Sequence, residues 1–364
     1  MSQRSQTFEI DAGDAADAKT RDAAEDASLI YVSNEESGIR RLSRPDGFSY
    51  VNSRGQPIRN AETLRRIRSL AAPPAYTDVW ICPKSNGHIQ ATGRDARGRE
   101  QYRYHPRWIE IRDRAKYDHI LRFAAALPAL RAQVRADMSK RGLPREKVVA
   151  TIVDLLETTL IRVGNRDYAQ KNKSYGLTTL RNRHVAVDGG ELRFRFTGKS
   201  GKSWNLKLKD RRIARIVKAC QELPGQRLFE FIDAQGIPRS VDSSDVNAYL
   251  REATGHEITA KDFRTWHGTV LAVSALSEFE AFDTQALAKR NVRAAIEGVA
   301  ARLGNTTTIC RKCYVHPQVL TSYLDGRLLK EIELTVKTGS RDRLAQFRPE
   351  EAAALALLNR RLAP

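Results

Sequence analysis

Two arginines, two lysines, an asparagine and a tyrosine between Arg162 and Tyr314 are the side chains of this sequence best suited to chemistry at a phosphodiester. A phosphodiester is already anionic and gains charge as a fifth oxygen approaches phosphorus, so its transition state needs cationic and hydrogen-bonding partners. Arg162 and Arg264 carry planar, permanently charged guanidiniums, each able to donate paired hydrogen bonds to two non-bridging oxygens. Asn305 can add one neutral amide donor. A departing 5′-oxygen must be protonated, and a lysine held among other cations can deliver that proton; Lys199 is the candidate, and Lys261 stands close to Arg264. A tyrosine that attacks phosphorus, the part open to Tyr314, keeps the energy of the broken bond in a phosphotyrosine, so the strand can be rejoined without ATP.

Each residue also has an ordinary reading. An arginine at a helix end commonly offsets the helix dipole, a lysine in a Gly-rich turn is commonly solvated, and an asparagine after a helix-stopping glycine is commonly a cap. Arg162 stands apart because it is expected to end an apolar helix over 148–162, with Val149, Ile152, Val153, Leu156 and Leu160 at core spacing and Gly164 as the stop. A charge there needs a partner or a ligand. Lys199 falls in the 198–202 turn of a hairpin in which Leu192, Phe194 and Phe196 alternate with Arg193 and Arg195. On the return strand Trp204, Leu206 and Leu208 alternate with Lys207 and Lys209, giving one apolar and one cationic face. Arg264 lies in the first turns of a helix expected over 260–276, whose amide end favours phosphate. Further helices are expected over 244–252 and 284–303, and Tyr314 on a short helix with Thr306 and Thr307 as cap candidates.

Ahead of this region the pattern is short strands, over 29–33, 39–43, 48–52, 79–82, 88–92 and 100–104, with one helix over 61–70. The expected fold class is therefore α+β, a small antiparallel β-sheet domain over 29–115 followed by a larger, mainly α-helical domain over 116–364 that contains the hairpin. Residues 1–28, rich in Ala and Asp, read as a disordered acidic tail.

The 364 residues carry a formal net charge of +19, divided as −4 in the tail, +7 over 29–115 and +16 over 116–364. Both expected domains therefore favour a polyanion, and charge alone does not separate DNA from RNA. No apolar run of about 18 residues occurs and no basic segment precedes an apolar one at the start, so the expectation is a cytoplasmic protein with no membrane partner. Four cysteines do not make a disulfide framework in a chain this long. Cys310, Cys313 and His316 form half of a zinc pattern without a second pair, and no metal or cofactor is expected. Gly198-Lys199-Ser200 and Gly201-Lys202-Ser203 resemble the end of a phosphate-binding loop, but Arg193 and Phe196 stand where its first glycine belongs, and the context is strand to strand.

Taken in order with their local strings, these residues resemble the type IB DNA topoisomerases of the compact poxviral and bacterial branch. The likeness is carried by Arg162-Val163-Gly164-Asn165, by Ser174 through Leu180, by Phe196-Thr197-Gly198-Lys199, by Lys261 through Trp266, and by Leu303-Gly304-Asn305 leading to Tyr314. Pro73-Pro74-Ala75-Tyr76 and Gly93 through Tyr104 extend it into the first domain, so it covers nearly everything after the tail. The resemblance implies a catalytic domain of the tyrosine recombinase/topoisomerase IB type. It makes Tyr314 the nucleophile, Arg162 and Arg264 the phosphate clamp, Lys199 the general acid, and Lys261 and Tyr168 supporting residues. Asn305 departs from the viral and nuclear pattern, where a histidine stands; an amide still donates but cannot become a cation, so its contribution should not depend on pH.

The activity implied by the resemblance is that of an ATP- and metal-independent enzyme that nicks one strand, holds the 3′-phosphate, lets the free end rotate and reseals. Its partner would be double-stranded DNA, clamped by a monomer and located at the nucleoid. Tyr76, Arg94, Arg97, Arg99 and Tyr102 are candidate DNA contacts. The alternatives are a tyrosine recombinase, which usually has a histidine where Lys261 stands, and a non-catalytic basic DNA-binding protein, which has no need of an aligned tyrosine.

Overall fold

The computed structural model describes residues 28–96, 98–279, 282–338 and 345–362, so the acidic tail up to residue 27 and Arg97 lie outside the described residues. The chain divides into two compact units between Lys116 and Tyr117.

The first unit is a five-stranded antiparallel sheet in the order β2-β1-β3-β4-β5, with β1 Ile39–Arg44, β2 Gly47–Val51, β3 Thr77–Ile81, β4 Ile89–Arg94 and β5 Glu100–Tyr104. Alternation places Ile39, Val79, Ile81 and Ala91 on one face, where they bury Ile67 of the helix Ala61–Ser69. Asn60 caps that helix by accepting from the Thr63 N–H. The expected strand over 29–33 is not formed: Ile30 makes a single parallel bridge to Gly87. The reason is local, since the Val32 N–H donates to the His88 imidazole at 3.1 Å instead of to a neighbouring strand, while Leu29 packs on Trp108.

The second unit is mainly helical. The helix Pro106–Met138 supplies Phe123, Leu127 and Leu130 to its core, which also takes Ile152, Leu155 and Leu156 from the helix Arg145–Thr159 and Phe263 and Trp266 from the helix Ala260–Ser277. The hairpin is present as β7 Glu191–Thr197 and β8 Ser203–Lys209, and β6 Val185–Asp188, which alternation in the sequence did not reveal, pairs with β7. Leu192, Phe194 and Phe196 are buried and Arg193 and Arg195 exposed, and the rings of Phe196 and Trp204 stack 5.9 Å apart.

The apolar helix stops at Thr159, not at Arg162 as its spacing led us to expect, because Leu160 takes a left-handed conformation (φ 57°). The Thr159 hydroxyl donates back to Leu155 O and accepts from Ile161 N–H, and Leu160 O is taken by Arg264 from another helix. Arg162 therefore stands beyond the helix, on a segment without regular secondary structure.

Near the far end of the chain, the helix Pro349–Leu362 is joined to the core by buried charge. Arg131 donates to Glu157 at 2.6 and 2.9 Å and to Glu351 at 2.6 and 3.0 Å, and Arg348 reaches Glu157 at 3.2 Å. Removing Arg131 would leave buried Glu351 with only the Arg348 backbone N–H and Glu157 with Arg348 alone, so Arg131→Ala is expected to cost about 3–5 kcal/mol of unfolding free energy. Burial pushes the Glu351 carboxyl up, but Arg131 and the Arg348 N–H overcome it and hold its pKa below the usual range. Its contribution is therefore present at neutral pH and lost as pH falls through the depressed value. Denaturant unfolding should show the Arg131→Ala deficit at pH 7 and a smaller one at acid pH, where the Glu351 carboxylate is protonated; equal deficits would contradict this ion-pair account.

Candidate active site

The segment 162–164 is held through its own backbone, with the Thr178 hydroxyl also donating to Val163 O at 3.0 Å. Leu177 N–H donates to Arg162 O at 2.9 Å, Thr178 N–H to Val163 O at 2.7 Å, and Gly164 (φ +103°) crosses so close to Gly176 that a Cβ on Gly176 would lie 2.6 Å from the Gly164 backbone. The strings Arg-Val-Gly-Asn and Ser-Tyr-Gly-Leu-Thr-Thr thus form two sides of one backbone crossing that aims the Arg162 side chain.

Arg264 approaches from the helix Ala260–Ser277, whose start is set by a capping box between Thr259 and Asp262. Its side chain is buried, donating from Nη1 to Leu160 O at 2.5 Å and from Nη2 to Leu303 O at 2.7 Å. Two helix ends are thereby tied to one guanidinium. The helix Gln285–Leu303 stops at Gly304 in a left-handed conformation (φ +65°), and Asn305 follows with its N–H on Ala300 O. The Asn305 Oδ1 accepts a short hydrogen bond from Arg162 Nη2. That bond fixes the amide's orientation, because a guanidinium can only donate, and it leaves Nδ2 as a donor.

Tyr314 is the C-cap of the helix Thr307–Cys313, one residue beyond the helix on which it was expected, with Thr306 as the N-cap. Its ring centroid lies 5.0 Å from the Arg264 guanidinium carbon. Its backbone is held against the middle of the Arg264 helix: a Cβ on Gly268 would come within 2.6 Å of Tyr314 O, and Thr269 Oγ1 accepts the His316 N–H at 3.1 Å. Lys199 sits in the short turn between β7 and β8, its ammonium 5.8 Å from the Tyr168 ring centroid. The turn is seated by Trp204, which approaches both Gly198 and Gly304 so closely that a Cβ on either would come within 2.7–2.8 Å of the indole.

A pocket of about 290 Å³ collects these groups: Arg162, Tyr168, Lys199, Lys261, Arg264 and Tyr314 all line it, with Asn165, Ser174 and Tyr175. Asn305 reaches it through Arg162. Burial, together with the neighbouring Arg264, lowers the Arg162 guanidinium from the ordinary arginine value; burial lowers Arg264 too, partly offset by the Tyr314 phenol. Among the described residues neither arginine meets a carboxylate. Two buried donors, Arg264 Nε and Asn305 Nδ2, have no partner among the described residues. An arrangement with paired buried cations and unmet donors suits a bound anion, and its oxygens would satisfy both.

Of the candidate contacts of the first unit, Tyr76, Arg94, Arg99 and Tyr102 are not among the described residues that line this pocket. Arg94 pairs with Asp78 at 3.6 Å, Arg99 with Asp95 at 2.7 Å, and the Tyr102 hydroxyl donates to Glu100 at 2.8 Å, which with burial pushes its pKa up to about 12. The Tyr76 ring packs on Gly93. Cys310 is buried, which pushes its thiol up to about 11, and among the described residues no group of three His, Cys, Asp or Glu side chains could hold a metal ion.

Gly268, Thr269 and Trp204 position the site, and sequence reasoning missed them. A glycine inside an apolar helix carries a cost that needs a reason, and that was the available signal for Gly268. If Tyr314 is the nucleophile that the sequence resemblance implies, Gly268→Ala is expected to displace it and slow strand cleavage about 10- to 1000-fold while DNA affinity stays within about twofold, since misplacing a reacting group by about 1 Å costs on the order of a hundredfold. Single-turnover cleavage beside an equilibrium binding assay separates the two; equal losses in both would count against a positioning role.

Comparison with known families matches residues 105–337 to the catalytic core of eukaryotic DNA topoisomerase I and residues 47–95 to the N-terminal domain of bacterial DNA topoisomerase IB. The DNA topoisomerase 1B of Acanthamoeba polyphaga mimivirus is 31% identical over 293 residues, covering 79% of this chain and 87% of that protein. DNA topoisomerase I of monkeypox virus is 23% identical and DNA topoisomerase 1B of vaccinia virus (strain Copenhagen) 22%, each over 75% of this chain and 85% of the relative. With both units matched, and with the pocket built from the residues that carried the resemblance, the chain belongs to the type IB DNA topoisomerase family.

Proposed function

We propose that this topoisomerase relaxes supercoiled duplex DNA by reversible transfer of one strand to Tyr314. The observation that carries the assignment of residues is the pair of buried guanidiniums, Arg162 and Arg264, beside a phenol and two unmet donors, with no carboxylate to neutralise them among the described residues.

In the forward step the Tyr314 oxygen attacks phosphorus and the bond to the 5′-oxygen breaks. The phenol gives its proton to solvent water, and the leaving 5′-oxygen gains one from the Lys199 ammonium. Arg162, Arg264 Nε and Asn305 Nδ2 take up the charge that grows on the non-bridging oxygens, and Lys261 adds a further cation at the rim. The 3′-phosphate stays on Tyr314 while the free 5′-hydroxyl end turns; the same groups run the step backwards, so neither ATP nor a metal is called on. Lys199 on its hairpin turn reaches the leaving group from outside the clamp.

The same reading has one molecule close its two basic units around duplex DNA at the nucleoid, with Tyr76, Arg94, Arg97, Arg99 and Tyr102 on the duplex. Among the described residues no helix is long and apolar enough to cross a membrane. Binding should weaken steeply with salt as phosphate contacts release counterions.

The general-acid role is tested by the leaving group. Lys199→Ala should slow cleavage of an ordinary duplex by roughly 10²–10⁴-fold, the usual worth of a positioned acid, and should cleave a duplex carrying a 5′-bridging sulfur, which departs without a proton, at close to the wild-type rate. An equal defect on both substrates would assign Lys199 to charge stabilisation instead.

A further inference from the structure

Arg41, on β1 of the first unit, spends its guanidinium on the backbone of a loop. Nη1 donates to Ala72 O at 3.1 Å, and Nη2 to Pro73 O at 3.0 Å and Tyr76 O at 2.6 Å, with Pro74 O at 3.4 Å. The cation also lies over the Phe48 ring, 4.2 Å from its centroid. A second arginine, Arg103 on β5, holds Ala71 O at 3.1 Å. The loop contributes its own stiffness: Pro73 and Pro74 have fixed φ, and Tyr76 N–H closes a turn on Pro73 O at 3.1 Å. The Tyr76 ring rests on Gly93 of β4, where a Cβ would lie 3.1 Å from Cδ2, and Pro74 and Ala75 are exposed at the tip.

In a basic protein acting on DNA a half-buried arginine is ordinarily read as a phosphate contact. Here its fork points at carbonyls, so its charge is poorly placed for phosphate while the loop is held in one shape. Ordering a loop at the moment of binding costs affinity, and fixing it beforehand avoids that cost.

We propose that Arg41 is a positioning residue for DNA binding: it fastens the loop 71–76 so that Tyr76 meets the duplex backbone already in its bound conformation. This rests on the proposed placement of Tyr76 on DNA. A lysine keeps the charge but, as a point donor, cannot hold several carbonyls at once. Binding of a fluorescent duplex by Arg41→Lys should therefore weaken about 5- to 10-fold with an unchanged salt slope, and Arg41→Gln should match it. In a Tyr76→Ala background the Arg41→Lys loss should shrink to less than about twofold, the non-additivity expected of residues acting through one contact. If Arg41→Lys binds like wild type while Arg41→Gln loses about 0.9 of the salt slope, Arg41 is a direct phosphate contact and the proposal is overturned. Full additivity with Tyr76→Ala overturns it as well.

Amide exchange in the unmodified protein needs no variant to fold. The Tyr76 N–H should be protected before DNA is added and change little afterwards, whereas protection that arises only with DNA overturns the pre-formed loop. Covalent capture of DNA by the same wild-type preparation tests strand transfer separately, so either proposal can fail alone.

Discussion

Tyr314→Phe should abolish plasmid relaxation and leave no covalent protein–DNA product when reactions are stopped with denaturant. The substitution removes one oxygen from a half-buried ring, and that oxygen is the atom proposed to form the new bond to phosphorus. Losing a nucleophile that acts as part of a unit typically removes on the order of 10⁴–10⁶ of the rate, below the detection of a gel assay. The ring's position depends on the Tyr314 backbone held at Gly268 and Thr269, which the phenylalanine keeps. DNA affinity and melting temperature should therefore stay close to wild type. Relaxation that persists in Tyr314→Phe would assign the chemistry to a different nucleophile.

Arg264→Lys should be nearly as severe, although it conserves charge. The guanidinium ties Leu160 O and Leu303 O, the carbonyls at two helix ends, and still presents Nε as an unmet donor. A lysine ammonium cannot reach both carbonyls and a phosphate oxygen together. The loss of one transition-state donor costs about 10²–10³-fold, and the release of two helix ends that frame Arg162 and Asn305 should raise the total to roughly 10³–10⁴-fold in single-turnover cleavage at saturating DNA. Stability should fall too, by about 1–3 kcal/mol for each buried carbonyl left unsatisfied. A variant that cleaves within about threefold of wild type would mean that charge alone, rather than the fork, is what the site needs.

The sequence made legible what alternation and helical spacing encode: the sheet of the first unit, the hairpin with its cationic face, and the helices ending at Gly304 and beginning at Thr259. It did not show where the apolar helix stops. Leu160 has no preference for a left-handed turn, and the partner of its carbonyl, Arg264, is 104 residues away in sequence. The same holds for the strand expected over 29–33, undone by a histidine side chain that competes for a backbone N–H. For the site, residue types and order pointed to Arg162, Lys199, Lys261, Arg264 and Tyr314, and these line one pocket. What the order could not supply is the close approach of backbones at Gly164 with Gly176 and at Gly268 with Tyr314, because a glycine in sequence does not say what it touches.

Asn305 marks a difference from the histidine-bearing pattern with a consequence for pH. Its amide is oriented by Arg162 and carries no titrating proton, so Asn305→Asp, which replaces the Nδ2 donor by an anion beside the proposed phosphate position, should damage cleavage more than Asn305→Ala at neutral pH.

Every role proposed for the pocket depends on the phosphorus being transferred to one phenol. Incubating the wild-type protein with a duplex in the presence of a chelator, denaturing it, digesting it and sequencing the nucleotide-bearing peptide by mass spectrometry should locate a 3′-phosphate on Tyr314. An adduct on another residue, a 5′-linked adduct, or relaxation that proceeds with no adduct at all would contradict it.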